Sequence, residues 1–187
     1  MSATQCLRDE HQVIMRVLDC FEIALRQASD SNSVSRDVFA PFVEFFKGFA
    51  DKCHHCKEED RLFPRLESAG IPREGGPIGV MLYEHEQGRN HVRTIHENLE
   101  AADSGDAGAC AVILKHGSAF LNLLRDHIYK ENEILFNMAD QVIQADNLKV
   151  LNQEYDEETS APEYCTRFNQ TRQLADTLIN QYGVEPL

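Results

Sequence analysis

Apolar residues recur at intervals of three and four along most of this chain, which is the spacing of one face of an α-helix. The pattern predicts four long helices, over about residues 4–29, 34–67, 78–102 and 109–145. Polar or glycine- and proline-rich turns separate these helices, at residues 29–33, 70–77 and 104–108. No segment shows the alternation expected of a β-strand. The predicted fold class is therefore all-α.

The three connections are short, and short connections make consecutive helices run in opposite directions. We therefore expect an up-down-up-down antiparallel four-helix bundle over residues 1–145. The remaining segment, residues 146–187, is broken by the run from Asp156 to Pro162, and apolar residues recur at helical spacing after it. We predict one or two shorter helices there, a C-terminal helical extension that packs on the bundle in a capping or dimerising role.

A histidine stands in the apolar stripe of each predicted long helix: His11, His54, His85 and His127. Two of these histidines are followed four residues later, on the same helix face, by a glutamate, Glu58 or Glu131. The two segments lie 73 residues apart (54 to 127, 58 to 131) and share the order His, Lys, Glu, Leu, Phe. The chain therefore has the pattern His…His-x3-Glu twice, which indicates an internal duplication.

In an antiparallel bundle these histidines are expected at one depth. His11 lies about 18 residues before the end of the first helix and His54 about 18 after the start of the second, which are equal distances at ~1.5 Å per residue. His85 and His127 lie about 17 and 20 residues from the next connection. Four imidazoles and two carboxylates that converge in an apolar interior lose their hydration, and a bound metal compensates for that loss.

The number of these ligands favours two first-row transition ions bridged by carboxylates over a single zinc ion. Two six-coordinate irons offer about twelve positions, of which four histidines, two bridging carboxylates and a bridging oxygen fill about ten. The open positions suit a small molecule. Ferritin-like di-iron bundles use Glu-x-x-His instead, whereas here histidine outnumbers carboxylate and the spacing is His-x3-Glu.

The pattern resembles that of the hemerythrin-like (HHE cation-binding) family, whose motif His…His-x3-Glu…His…His-x3-Glu is matched by His11, His54, Glu58, His85, His127 and Glu131. The segment His-His-x-Lys-Glu-Glu-x-x-Leu-Phe-Pro at residues 54–64 is especially similar to the second helix of that family. The resemblance covers roughly residues 4–145. It implies a non-haem di-iron site, with zinc or manganese as alternative metals, that binds dioxygen, nitric oxide or peroxide.

Two positions depart from the oxygen-carrying hemerythrins. Those proteins have a second histidine where this chain has Arg89, and an aspartate where it has Asn132. The departures make sensing, peroxide chemistry and nitric oxide handling as consistent with the sequence as reversible oxygen carriage. Three functions remain open: binding or sensing of a small ligand, an enzyme acting on peroxide, dioxygen or nitric oxide, and iron storage.

His55 and Glu59 form a competing His-x3-Glu pair, about 100° around the helix from His54 and Glu58. In the other repeat the position equivalent to His55 is Ile128, so we expect His55 at the surface or in a supporting role around the metal.

The other histidines are not expected to bind metal. His91 is expected to face solvent, whereas His96 and His116 are expected to pair with each other in the core. Tyr83 and Tyr129 fall on the far sides of their helices, away from the ligands. Cys53 and Cys56 lie within a helix and lack a second Cys-x-x-Cys pair, so free packed thiols are the favoured interpretation.

Composition restricts the partners and the compartment. A net charge of −13 and a pI near 5.0 disfavour nucleic acid and anionic membranes. The six scattered cysteines do not form a disulfide scaffold, and neither a secretory signal nor an apolar run of transmembrane length is apparent. We expect a soluble cytoplasmic protein that binds a small gaseous or peroxide ligand, and that is compatible with a homodimer.

Overall fold

The computed structural model describes residues 3–184, and within them the chain consists of helices and turns without a strand. The predicted all-α class is therefore confirmed. The first long helix is α1, Ala3–Ser31, and the third is α4, Pro77–Asp103. The second and fourth long helices each contain α-helical and π-helical parts, and their bounds follow in the next paragraph.

The second long helix begins with α2 (Arg36–Phe45), continues through π-helical segments Phe46–His55 and Glu58–Leu62, and ends with α3 (Phe63–Ser68). The fourth consists of α5 (Ala107–Lys130), a π-helical segment Glu131–Leu135 and α6 (Phe136–Val142). In a π-helix the hydrogen bonds run from i to i+5, and such turns occur frequently at functional sites. Glu58–Leu62 and Glu131–Leu135 are equivalent positions of the two repeats, 73 residues apart (58 to 131), so the duplication extends to this irregularity.

The apolar core has two parts. The larger cluster is built around Phe21, whose ring contacts those of Phe42, Phe46 and Phe120 at centroid distances of 5.2, 5.3 and 6.5 Å. The smaller cluster contains residues of the opposite end, among them Leu7, Leu62, Phe63, Met81, Leu135 and Phe136. Each fully buried Phe or Leu contributes about 1.5–3 kcal/mol relative to an exposed one, so the helices associate mainly through these clusters.

The predicted ligands lie where the two clusters meet. In α1, Leu7 of the smaller cluster precedes Ile14 of the larger, whereas in the second long helix Phe46 of the larger precedes Leu62 of the smaller. The order reverses again in α4 and once more in the fourth long helix. The predicted histidine and glutamate ligands therefore occupy a polar layer between two apolar clusters.

Two further helices follow, α7 (Ala145–Ser160) and α8 (Pro162–Tyr182), and both contribute to the core. Leu151 and Tyr155 belong to the smaller cluster, and Leu178 to the larger. The helix α8 approaches the second long helix closely at Gly48, where an added Cβ would lie 2.5 Å from Cγ2 of Thr171. The C-terminal helices thus pack on the rest of the chain, as expected. The division of residues 146–187 from the bundle as a separate extension stays a prediction.

The fourth long helix is also the most apolar one. Over Ala107–Val142 it contains an 18-residue window of mean hydropathy 1.3, so by length and composition alone it could cross a membrane. The expectation that no apolar run approaches the length of a transmembrane helix therefore does not hold for this helix. The core helix of a soluble protein meets the same criteria, and this helix carries the buried His127 and Glu131.

Candidate metal centre

The structure brings all six predicted ligands together in the polar layer between the two core clusters. Their exposed fractions are 0 or 1%. They come from all four long helices: His11, His54, Glu58, His85, His127 and Glu131. The depth estimated from the sequence therefore gave a correct neighbourhood, and the role of these residues as ligands stays a prediction.

Each carboxylate lies between histidines of different helices. One oxygen of Glu131, Oε2, is 3.2 Å from Nε2 of His11 and 3.2 Å from Nε2 of His127. The two oxygens of Glu58 diverge, with Oε1 3.5 Å from Nε2 of His54 and Oε2 3.5 Å from Nε2 of His85. A carboxylate that directs its oxygens toward two sets of imidazoles has the arrangement of a bridge between two cations.

The ligand atoms form two groups, within each of which all atoms lie within 4.8 Å of one another. The first group consists of His11, His54, Glu58 and Glu131. The second consists of His55, Glu58, His85 and His127. Because Glu58 belongs to both, the structure contains two adjacent candidate sites with one shared carboxylate.

The outer nitrogen of each predicted histidine ligand is held by an acceptor on the neighbouring helix. The four Nδ1-to-oxygen distances are 2.9 Å for His54 to Glu10, 2.7 Å for His85 to Glu59, 3.0 Å for His127 to Glu84, and 2.9 Å for His11 to Asn132. These contacts form a ring around the bundle. The first long helix supplies the acceptor for the histidine of the second, the second for the third, the third for the fourth, and the fourth for the first. When Nδ1 donates its hydrogen in this way, Nε2 carries the lone pair that a metal requires.

These four acceptors are adjacent in sequence to predicted ligands. Glu10 and Glu84 directly precede His11 and His85, and the other two acceptors directly follow Glu58 and Glu131. Sequence reasoning missed Glu10 and Glu84. Their signal was the repeat itself, which places an acidic residue before the histidine in both halves.

Most of the inward-facing atoms have no hydrogen-bond partner among the described residues. Buried atoms in this condition include Nε2 of His11, Nε2 of His54, and both carboxylate oxygens of Glu58 and Glu131. Nε2 of His85 and Nε2 of His127 lie 3.0 Å apart with their outer nitrogens already donating. An unpaired buried polar group costs about 1–3 kcal/mol, and bound cations would satisfy these atoms together, so the donor set fits two first-row transition ions.

The ionisable groups of the site have pKa values that are shifted in opposite directions. Burial, followed by the charge of Glu131, raises the pKa of Glu58 well above its usual value. Burial also opposes ionisation of Glu131, but the neighbouring His127 and His11 hold its pKa well below the usual value. Burial disfavours the His127 imidazolium, yet Glu131 and Glu84 raise its pKa to about 9. Protons on Glu58 and His127 would therefore have to leave when a metal binds.

His55 lies inside the site rather than at the surface. Its side chain is 7% exposed, and its ring stacks on that of His85 with the centroids 3.8 Å apart. The expectation of a surface position is therefore wrong, because the position after His54 is interior, as it is for Ile128 after His127 in the other repeat. Glu59, the other member of the competing pair, has a supporting role, since it accepts hydrogen bonds from His85 and Arg89.

The predicted pairing of His96 with His116 is also wrong. His96 is exposed, because the interior positions of this part of α4 are Val92 and Ile95. His116 instead lies with its Nδ1 3.0 Å from Nδ1 of His91, so His91 is half-buried rather than solvent-facing.

The tyrosine and cysteine predictions agree with the structure. Tyr83 and Tyr129 are both 65% exposed and face away from the site. The five cysteines whose side chains are described form no disulfide, and Cys53 is buried. Burial raises the pKa of the Cys53 thiol to about 11, which disfavours the reactive thiolate.

A cavity of about 240 Å³ adjoins the second group of ligands. His55, His85 and His127 line it, together with apolar side chains such as Phe120 and Leu124. None of its lining residues is His11, His54 or Glu131. The second candidate site therefore faces an apolar space of small-molecule size.

Several known proteins are similar in sequence to part of this chain. An uncharacterised protein of Mycobacterium tuberculosis is 21% identical over 158 residues, which cover 84% of this chain and 61% of that protein. The iron-sulfur cluster repair protein DnrN of Neisseria gonorrhoeae is 34% identical over 87 residues, covering 44% of this chain and 54% of DnrN. The iron-sulfur cluster repair protein YtfE of Musicola paradisiaca is 36% identical over 93 residues, covering 46% and 40%. The chain thus spans about 40 to 61% of the length of these curated relatives.

No solved structure matches the chain. The family model described as the hemerythrin HHE cation binding domain matches residues 2–139, a range that contains the six predicted ligands and the four acceptors around them. The chain therefore belongs to the hemerythrin HHE cation-binding domain family.

Proposed function

We propose that this protein is a non-haem di-iron protein that binds or senses a small ligand, namely dioxygen, nitric oxide or peroxide. The observation that carries the proposal is the pair of ligand groups sharing Glu58, one of which faces the 240 Å³ cavity. Bound iron would supply the redox-active centre and the open positions at which such a ligand is held. Zinc or manganese would also suit these nitrogen and oxygen donors.

The chain's own residues would hold and orient the two ions. His11, His54 and Glu131 would serve one ion and His85 and His127 the other, with the carboxylate of Glu58 shared by both. The carboxylate and amide acceptors on Nδ1 fix the direction of each imidazole and increase the basicity of its free nitrogen. The apolar clusters on both sides of the polar layer exclude bulk water from the ions.

The cavity favours ligand entry at the second site. Its walls include Phe46, Val92 and Leu124, which suit an uncharged diatomic molecule. Charged side chains also line it, among them Lys47 and Arg93.

A related candidate function is iron-sulfur cluster repair in stress defence. It is favoured by the names of the two relatives at 34 and 36% identity, each of which aligns with less than half of this chain. Transfer of iron from the reconstituted protein to a damaged cluster protein would support it, whereas iron that stays bound throughout would count against it.

The proposal includes the arrangement of the helices and the compartment. We infer from the alternating order of the two core clusters that the four long helices run up, down, up and down. We also propose a cytoplasmic location, since the five described cysteines form no disulfide and a reducing compartment keeps cysteines in the thiol form.

The first test is anaerobic reconstitution with ferrous iron, followed by metal analysis and absorption spectra under dioxygen, nitric oxide and peroxide. Two irons per chain with a stable oxygenated or nitrosyl band that is lost under argon would support reversible binding. Rapid consumption of peroxide would support the enzymatic alternative. Protein that retains no stoichiometric iron would refute both.

The second test blocks the cavity. Leu123→Trp places an indole in the cavity wall and should slow the binding of nitric oxide, while iron content stays at the wild-type value. Ile134→Trp on the same long helix is the control, because Ile134 is 50% exposed. An unchanged rate in the Leu123 variant would mean that the ligand reaches the site by another route.

A further inference from the structure

His55 is a buried histidine that the six-ligand description does not use. Its side chain is more than nine-tenths buried, and its Nδ1 has no hydrogen-bond partner among the described residues. The nearest carboxylate oxygen to that nitrogen is Oδ1 of Asp51 at 3.7 Å, which is too long for a hydrogen bond. Asp51 Oδ1 instead accepts from Nε of Arg89 at 2.7 Å.

The ring of His55 lies against the second ligand group. It stacks on His85 with an interplanar angle of 16° and meets the ring of His127 edge-on at a centroid distance of 5.9 Å. One of its nitrogens lies within 4.8 Å of the ligand atoms of Glu58, His85 and His127. Burial of an imidazole whose Nδ1 has no partner is costly, and a cation shared with His85 and His127 would offset that cost.

The backbone before His55 differs from that of the other repeat. In an α-helix two consecutive residues point about 100° apart and both can be buried, as His127 and Ile128 are in α5. In the second long helix the π-helical segment Phe46–His55 ends at His55, and the side chains of His54 and His55 are both buried. The fourth long helix remains α-helical up to Lys130, and the repeat has Ile128 at the equivalent position. The additional π-helical segment thus coincides with the additional histidine.

We infer that His55 is a seventh metal ligand, which serves the ion held by His85 and His127. With it each candidate site has four ligand residues, namely His11, His54, Glu58 and Glu131 for one and His55, Glu58, His85 and His127 for the other. Without it the second site has two histidines and a shared carboxylate. His55 also lines the cavity, so it would stand between an entering ligand and the second ion.

The inference rests on the proposed di-iron function, and its test separates the two. His55→Phe retains a ring that stacks on His85 but removes both nitrogens. We expect the reconstituted variant to hold about one iron per chain where the wild type holds two, with one of the two iron environments lost from the Mössbauer spectrum. His96→Phe is the matched control, since His96 lines the same cavity but is exposed, and it should retain both irons.

A second variant guards against a simple folding defect. His55→Gly opens a space for free imidazole, and adding imidazole should restore the second iron to that variant but not to His55→Phe. Wild-type protein that binds two irons, with His55→Phe also binding two and showing the same spectrum, would overturn the inference alone. Wild-type protein that binds none would overturn the proposed function instead.

Discussion

The two lysines of the repeat, Lys57 and Lys130, offer a test in which the same substitution is made at equivalent positions. Each donates to the glutamate that accepts from a histidine ligand, Lys57 to Glu10 and Lys130 to Glu84. Their surroundings differ, because Lys57 is 1% exposed and Lys130 is 33% exposed. The perturbation is Lys→Met at each position, which removes the ammonium group and keeps the length of the side chain.

The difference arises from the C-terminal helices. Nζ of Lys57 lies 5.8 Å from the ring centroid of Tyr155, 5.6 Å from that of Tyr164 and 5.7 Å from that of Phe168, all from α7 and α8. Removing one partner of a buried ion pair costs about 3–5 kcal/mol, and the cation–π contacts add up to about 2 kcal/mol when desolvated. The methionine recovers part of this loss by packing against the rings.

We therefore expect Lys57→Met to lower the free energy of unfolding by about 3 kcal/mol. Lys130→Met should lower it by about 1 kcal/mol or less, because a partly exposed pair is weak. With a denaturant slope of about 2 kcal/mol per M, the first loss lowers the urea midpoint by about 1.5 M. The measurement is urea unfolding of both metal-free variants, followed by circular dichroism. Equal shifts in the two variants would refute the argument that α7 and α8 isolate Lys57 from water.

Three further comparisons test the site and its packing. His54→Ala should release at least one iron and lower the thermal midpoint of the loaded protein, whereas His91→Ala should retain all its iron; metal analysis with a thermal melt checks this, and the reverse outcome in iron content would contradict the ligand assignment. Glu59→Ala should weaken metal affinity about 10- to 100-fold while all proposed ligands remain, which a competitive chelator titration measures and an unchanged affinity would disprove. Gly117→Val should cost about 1–3 kcal/mol in urea unfolding, because the added Cβ would lie 2.6 Å from Cδ2 of Leu25, and an unaffected midpoint would show that this contact relaxes.

Much of the fold and site was predictable because it depends on periodicity. The three-four spacing of apolar residues places His11, His54, His85 and His127 in the interior whatever the neighbouring helices are. Equal depth then follows from the rise per residue, and the structure brings these histidines together. The repeat adds the two glutamates, since a spacing of four residues sets them on the same face as a histidine.

The errors have one physical origin, which is that helix periodicity does not say which residues of neighbouring helices meet. His55 was expected at the surface or in a supporting role because the repeat aligns it with Ile128, yet both positions are buried. His116 was paired with His96 on spacing alone, whereas the packing of α4 against α5 brings it to His91.

The sequence by itself determined which residues are polar within the apolar stripes, and so the all-α class, the four converging histidines and the two glutamates. These properties follow from local spacing and the preference of apolar side chains for burial. Only the tertiary structure decided that Glu10, Glu84, Glu59 and Asn132 hold the histidines in a ring. It also decided that His55 joins the second group. Such contacts depend on the rotation and separation of helices far apart in the chain, which the packing of all of them sets together.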